Sequence, residues 1–161
     1  MARLMALDLG EARIGVAVGD SSGFLASPYT TLHVSRDEEQ TMKAIQKLID
    51  EVGAESLVVG LPISLDGQIH AQGAWVQAFV ERLKPYITIP LIFWDERLST
   101  FEAQRLLAQR ELDESGKRLR RSGRRHAQTK RRQRGQEIDA LAAAVILQDY
   151  LDHQGSRTQE G

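Results

Sequence analysis

Apolar and polar positions change their period several times along the chain, and each change marks an element. In "RLMALDLGEARIGVAVGD" two runs of strand length, residues 3–9 and 12–19, are separated by Gly10-Glu11. "FLASPYTTLHV", residues 24–34, is a third such run, entered through turn residues Asp20 to Gly23. Links this short predict an antiparallel meander. The period then lengthens: Ser35 and Glu38 form a capping-box pattern, and Met42, Ile45, Leu48, Ile49 and Val52 recur at helical spacing. "ESLVVGLP" is a nearly all-apolar run stopped by Pro62, as expected of a central strand buried on both faces. Trp75, Val76, Phe79, Val80 and Leu83 mark a second helix, ended by Pro85, and "ITIPLIFWDE" a further buried strand. Ser99 with Glu102 repeats the capping box and opens a third helix to about Leu112. "QEIDALAAAVILQDYLD" is apolar nearly all round, which predicts a helix packed into the body.

Helices alternating with buried strands require parallel crossovers. The order of elements therefore predicts an α/β fold: a mixed five-stranded sheet, three antiparallel strands then two parallel ones, flanked by helices on both faces. One domain over residues 1–153 is expected, with 113–135 a basic, flexible insert and 154–161 a disordered tail.

The charge pattern adds a partner. Net charge is −1, but "GKRLRRSGRRHAQTKRRQRG" carries ten of the 21 Lys and Arg and no acid, which leaves the remainder near −11. A basic stripe beside an acidic body fits a polyanion, and neutralising phosphates with such a stripe releases counterions. There is no cysteine, so disulfides and thiolate metal sites are excluded. The four histidines, at 33, 70, 126 and 153, have no ligand spacing. No apolar run approaches the length of a membrane span, and a cytoplasmic protein with no membrane partner is expected.

Three carboxylates stand where a carboxylate is costly. Asp8 interrupts the first strand, and a buried unpaired carboxylate costs several kcal/mol. Asp95-Glu96-Arg97 ends the last strand, where open α/β sheets present ligand residues. Asp139 lies in the first turn of an apolar helix. Each has a plainer reading: Asp139 complements a helix N-terminus, and Asp95 or Glu96 pairs with Arg97. Asp20 and Asp66 belong to turns, Glu102 to a cap, and Trp75 and Phe79 to the core. Brought together, the three acids would form an oxygen cage for Mg²⁺ or Mn²⁺, which can activate water and stabilise a leaving oxygen in phosphodiester hydrolysis.

The motifs "LDLGEARIGVAVGD", "VVGLPISLDG", "WDERLST" and "IDALAAAVILQDYL", in this order, resemble the YqgF/RuvX family of Holliday-junction-resolvase-like proteins, also described as nucleases for precursor small-subunit ribosomal RNA. The resemblance runs nearly to His153. It implies an RNase H-like fold and a metal-dependent nuclease acting in precursor 16S rRNA processing or Holliday junction resolution. Its active-site acids and metal ligands map onto Asp8, Glu96 and Asp139, with Asp95 the alternate for the second. Ala142 stands where the resolvases of the RuvC type carry a fourth acid.

Candidate nucleic-acid contacts are Arg13, Arg97, Arg120, Arg121, Arg124, Arg125, Lys130, Arg131 and Arg132. Two other classes compete with a nuclease. A sugar-kinase or actin-like ATPase needs two lobes, for which the chain is short. A non-catalytic nucleic-acid-binding or ribosome-associated module keeps the same fold. A junction-cutting enzyme would also be expected to form a homodimer.

Overall fold

The computed structural model describes residues 3–19, 25–63, 66–95 and 139–154. Within them the three expected N-terminal strands are β1 (Leu4–Leu9), β2 (Arg13–Gly19) and β3 (Ala26–His33). Helix α1 (Glu38–Val52), strand β4 (Ser56–Leu61), helix α2 (Ala71–Leu83) and strand β5 (Leu91–Asp95) follow. A last helix, α3, covers residues 139–154. One sheet contains all five strands in the order β3-β2-β1-β4-β5. The β1–β2 and β2–β3 pairs are antiparallel, while β1–β4 and β4–β5 are parallel. The mixed sheet expected from the hydrophobic pattern is therefore the observed one. The helix expected from Ser99, the basic stretch, Glu96, Arg97 and the arginines beyond it lie outside the described residues.

Strand alternation divides the sheet into two unlike faces. Met5, Leu7, Leu9, Ile14, Val16, Leu57, Val59 and Leu61 turn one way and pack with Met42, Ile45 and Ile49 of α1 and Val76, Phe79, Val80 and Leu83 of α2. Most of these are large side chains, and they fill the layer between the sheet and the two helices. The other face presents Ala6, Ala17, Ala26 and Val58 to Ala143, Ala144, Ile146, Leu147 and Leu151 of α3. Alanine facing alanine lets α3 approach the sheet closely, so whatever else stands on that face meets the helix.

Local signals set the ends. Gly53 closes α1 at φ 69°, a left-handed conformation that glycine takes without steric cost. Arg3 Nη1 donates to the carbonyl of Val52 at 2.9 Å, pinning that helix end to the start of β1. The start of α1 differs from the capping-box expectation. Asp37, not Ser35, is the N-cap, its carboxylate accepting from the Glu39 amide at 3.1 Å. Ser35 Oγ instead accepts from the Asp37 amide at 3.2 Å, so Ser35 builds the turn that precedes the cap. As expected, Asp66 is a turn residue, accepting from the Gln68 amide at 2.9 Å, and Phe79 is core. No described helix is long and apolar enough to cross a membrane.

Candidate active site

Position 8 lies in β1 two residues beyond Ala6, so strand alternation turns Asp8 toward α3 and away from the large-residue core. Its cross-strand partner in the antiparallel register is Gly15. The reason for glycine there is steric. A Cβ on Gly15 would stand 1.9 Å from the carbonyl oxygen of Asp139 and 2.4 Å from its carbonyl carbon. No side chain fits between β2 and the first described residue of α3. The missing side chain at position 15 thus lets Asp139 sit beside the strand pair that carries Asp8, although 131 residues of sequence separate the two acids.

The Asp8 carboxyl senses Asp139. Burial pushes the Asp8 carboxyl above the ordinary carboxylate range, and the negative charge of Asp139 pushes it further. Asp139 has a counter-ion: Arg13 Nε lies 2.9 Å from its Oδ2, with the side chains 43% and 25% exposed respectively. The contact is an ion pair without hydrogen-bond alignment, and Asp139 Oδ2 is a buried oxygen with no hydrogen-bond donor among the described residues. Arg13, Gly15 and Ala17 alternate onto the same face as Asp8, which is why the first residue of β2 reaches the helix.

Two anchors hold α3 in place across this face. At one sheet edge the Ala26 amide of β3 donates to Gln148 Oε1 at 2.9 Å. At the other, Trp94 Nε1 of β5 donates to Asp149 Oδ2 at 2.8 Å, and the Asp149 side chain is fully buried. Tyr150 and His153 pack edge-on to the Trp94 ring, with centroids at 5.3 and 5.2 Å. Sequence reading passed over Gly15 and Asp149. The available signals were a glycine inside an apolar strand and an acid inside the apolar stretch "ILQDYL".

Of the three acids expected to converge, Asp8 and Asp139 are described and adjoin. Glu96 lies outside the described residues, and among these no group of three His, Asp or Glu forms a cation site. Asp95 follows Phe93 in the alternation of β5, on the face of the α1 and α2 core, whereas Trp94 faces α3. Asp8 and Asp139 nonetheless fit a hard divalent ion. They are oxygen donors, Asp8 is desolvated and its pKa raised further by the Asp139 charge, and Asp139 keeps a buried oxygen with no hydrogen bond among the described residues.

Comparison with known proteins bears on the family and the fold. A family model described as "RuvX: Holliday junction resolvase" matches residues 2–153. A protein of Roseiflexus sp. (strain RS-1) named "Putative pre-16S rRNA nuclease" is 41% identical over 152 residues, which are 94% of this chain and 95% of that one. A protein of the same name from Thermoanaerobacter pseudethanolicus is 39% identical, covering 96% of this chain and 99% of its own length. Among solved structures, T. thermophilus RuvC in complex with a Holliday junction substrate superposes with a TM-score of 0.52 at 14% identity, over 96% of this chain and 97% of RuvC. At that identity the likeness is one of fold. The two-faced mixed sheet, the acids that α3 brings to it and a family match spanning nearly the whole chain lead to one assignment: this chain is a member of the RuvX family.

Proposed function

We propose that the chain is a divalent-metal-dependent nuclease that hydrolyses phosphodiester bonds in structured nucleic acid, with precursor 16S rRNA as its substrate. The observation that carries this reading is the meeting of Asp8 and Asp139 across the Gly15 gap, where the Asp139 charge adds to the effect of burial on the Asp8 carboxyl. Asp8, Asp139 and Glu96 are the residues proposed to hold the ion. Glu96 is preferred to Asp95 because Asp95 belongs to the opposite face of β5 by alternation. The names of the curated relatives support the RNA substrate, and the family description supports a junction as its rival.

When bound, the ion supplies a water nucleophile of lowered pKa and stabilises charge on the leaving oxygen. The chain's own contribution is placement. Asp8 is fixed by its pairing with Gly15 of β2, in a strand whose other edge pairs with β4 as far as Leu7, and Asp139 by the docking of α3. Ionised carboxylates accept a proton poorly once they hold a cation, so their role is to orient and to concentrate charge. Arg13 and Arg97, with Arg120, Arg121, Arg124, Arg125, Lys130, Arg131 and Arg132, are proposed to grip phosphates, a task suited to guanidinium geometry. A cytoplasmic location, where precursor rRNA is made, accompanies this reading.

The test is a cleavage assay on labelled precursor 16S rRNA and on a four-way DNA junction, with Mg²⁺, Mn²⁺ or chelator, beside Asp8→Asn and Asp139→Asn. Metal-dependent cutting of the RNA, lost in both variants with binding retained, is the expected result. Binding without cutting under every condition would make the chain a non-catalytic module. Cutting confined to the junction would move the substrate to DNA and call for two active sites, so sedimentation at assay concentration would then show a homodimer.

A further inference from the structure

Arg13 has two possible anions, and the structure shows it on one of them. Its pairing with Asp139 is through Nε alone at 2.9 Å, not through the two-pronged fork that makes arginine–carboxylate pairs tight. The guanidinium side chain is 43% exposed, and the oxygen it approaches, Asp139 Oδ2, has no hydrogen bond among the described residues. A single, unaligned, half-solvated contact is weak. It is also incomplete: among the described residues the Arg13 guanidinium pairs with Asp139 and not with Asp8. A divalent ion brings twice the charge and binds carboxylate oxygen directly. It therefore competes for the oxygen that Arg13 holds.

We propose that Arg13 is an exchangeable cation of the carboxylate site. It pairs with Asp139 while no divalent ion is bound, yields Oδ2 when one arrives, and then offers its guanidinium to a substrate phosphate. This rests on the reading of Asp8 and Asp139 as divalent-ion ligands. The displacement makes two bindings depend on each other: the ion frees a phosphate-binding group, and a phosphate that captures Arg13 vacates a ligand oxygen. Coupling of this kind is reciprocal. It keeps the guanidinium engaged until the ion is present, so substrate is gripped at the site most strongly by the loaded enzyme. The position of Arg13 suits both partners, because it opens β2 at the rim of the face that carries Asp8 and is itself exposed.

The test uses the full chain and measures Mn²⁺ binding from the electron paramagnetic resonance signal of the unbound ion, for wild type, Arg13→Gln, Arg13→Met, Arg13→Lys and Asp139→Asn. The two neutral variants are expected to bind Mn²⁺ about two- to five-fold more tightly than wild type, the size of a removed half-exposed ion pair. Arg13→Lys stays within about two-fold of wild type, because its charge still competes. In parallel, anisotropy of a labelled RNA hairpin is followed with and without Ca²⁺. Ca²⁺ is expected to strengthen RNA binding by wild type several-fold and by Arg13→Gln less. Unchanged or weaker Mn²⁺ affinity in both neutral variants, with Asp139→Asn losing the ion, overturns the exchange and leaves the carboxylate site standing. Absence of Mn²⁺ binding in wild type overturns both.

Discussion

Asp8 costs the metal-free fold stability, and the sign of that cost is open to measurement. Burial and the Asp139 charge raise its pKa above the ordinary carboxylate value, so the native state keeps this proton at a pH where the unfolded chain has lost it. Stability must then fall as pH rises from the ordinary aspartate value, about 3.9, through the raised one, and the whole cost is present above both. Asp8→Asn removes the cost. In chelator at neutral pH the variant is expected to melt several degrees above wild type, with the gap closing below about pH 4; equal melting at every pH would refute it. Gly15 is the opposite case, a residue whose value lies in what it lacks. Gly15→Ala places a carbon 1.9 Å from the Asp139 carbonyl oxygen, so α3 or β2 must shift. A stability loss of about 1 to 3 kcal/mol is expected by chemical denaturation. Mn²⁺ affinity should fall with it, because the two carboxylates separate.

At the scale of elements, α3 is the part that builds the site, and its docking depends on the Trp94–Asp149 hydrogen bond at 2.8 Å. Trp94→Phe leaves a fully buried carboxylate without that donor, and a loss of about 1 to 3 kcal/mol follows for a stranded acceptor, with more if it stays charged. In an Asp149→Leu background the same change should cost much less, and a double-mutant cycle by urea denaturation measures the difference. Additive losses would mean that the pair does not anchor the helix. The elements themselves were legible in the sequence, because β1, β2 and β4 bury whole apolar runs and α1 repeats its apolar residues at helical spacing. Their joints were not. Ser35 and Asp37 both precede α1 and both are good caps, and only the bond from the Glu39 amide selects Asp37. The need for glycine at position 15 comes from the Asp139 backbone, far away in the chain. The need for an acid at position 149 comes from Trp94, 55 residues away in sequence, and no local pattern records either contact.

For the whole molecule the governing feature is separation of charge. Ten basic residues stand in one acid-free stretch, and the rest of the chain, the carboxylate site included, is acidic. An acidic site repels a polyanion, so the proposed function assigns attraction to the basic stretch and local neutralisation to the ion and Arg13. Replacing Arg120, Arg121, Arg124 and Arg125 with Gln is therefore expected to weaken RNA binding at low salt and to flatten its salt dependence by up to about 0.7 in log–log slope per lost phosphate contact. An unchanged slope would remove that stretch from the interface. Membership of the RuvX family was legible because four motifs spread over the chain hold their order, whereas Glu96, the one proposed ligand outside the described residues, rests on the resemblance of "WDERLST" alone. The central claim is that acids distant in sequence share a divalent ion, and anomalous diffraction from a crystal soaked in Mn²⁺ tests it most directly. A manganese peak about 2.1 Å from oxygens of both Asp8 and Asp139, with Arg13 turned away, is the expected result. A peak held by other residues, or none at this face with Arg13 still on Asp139, would contradict it.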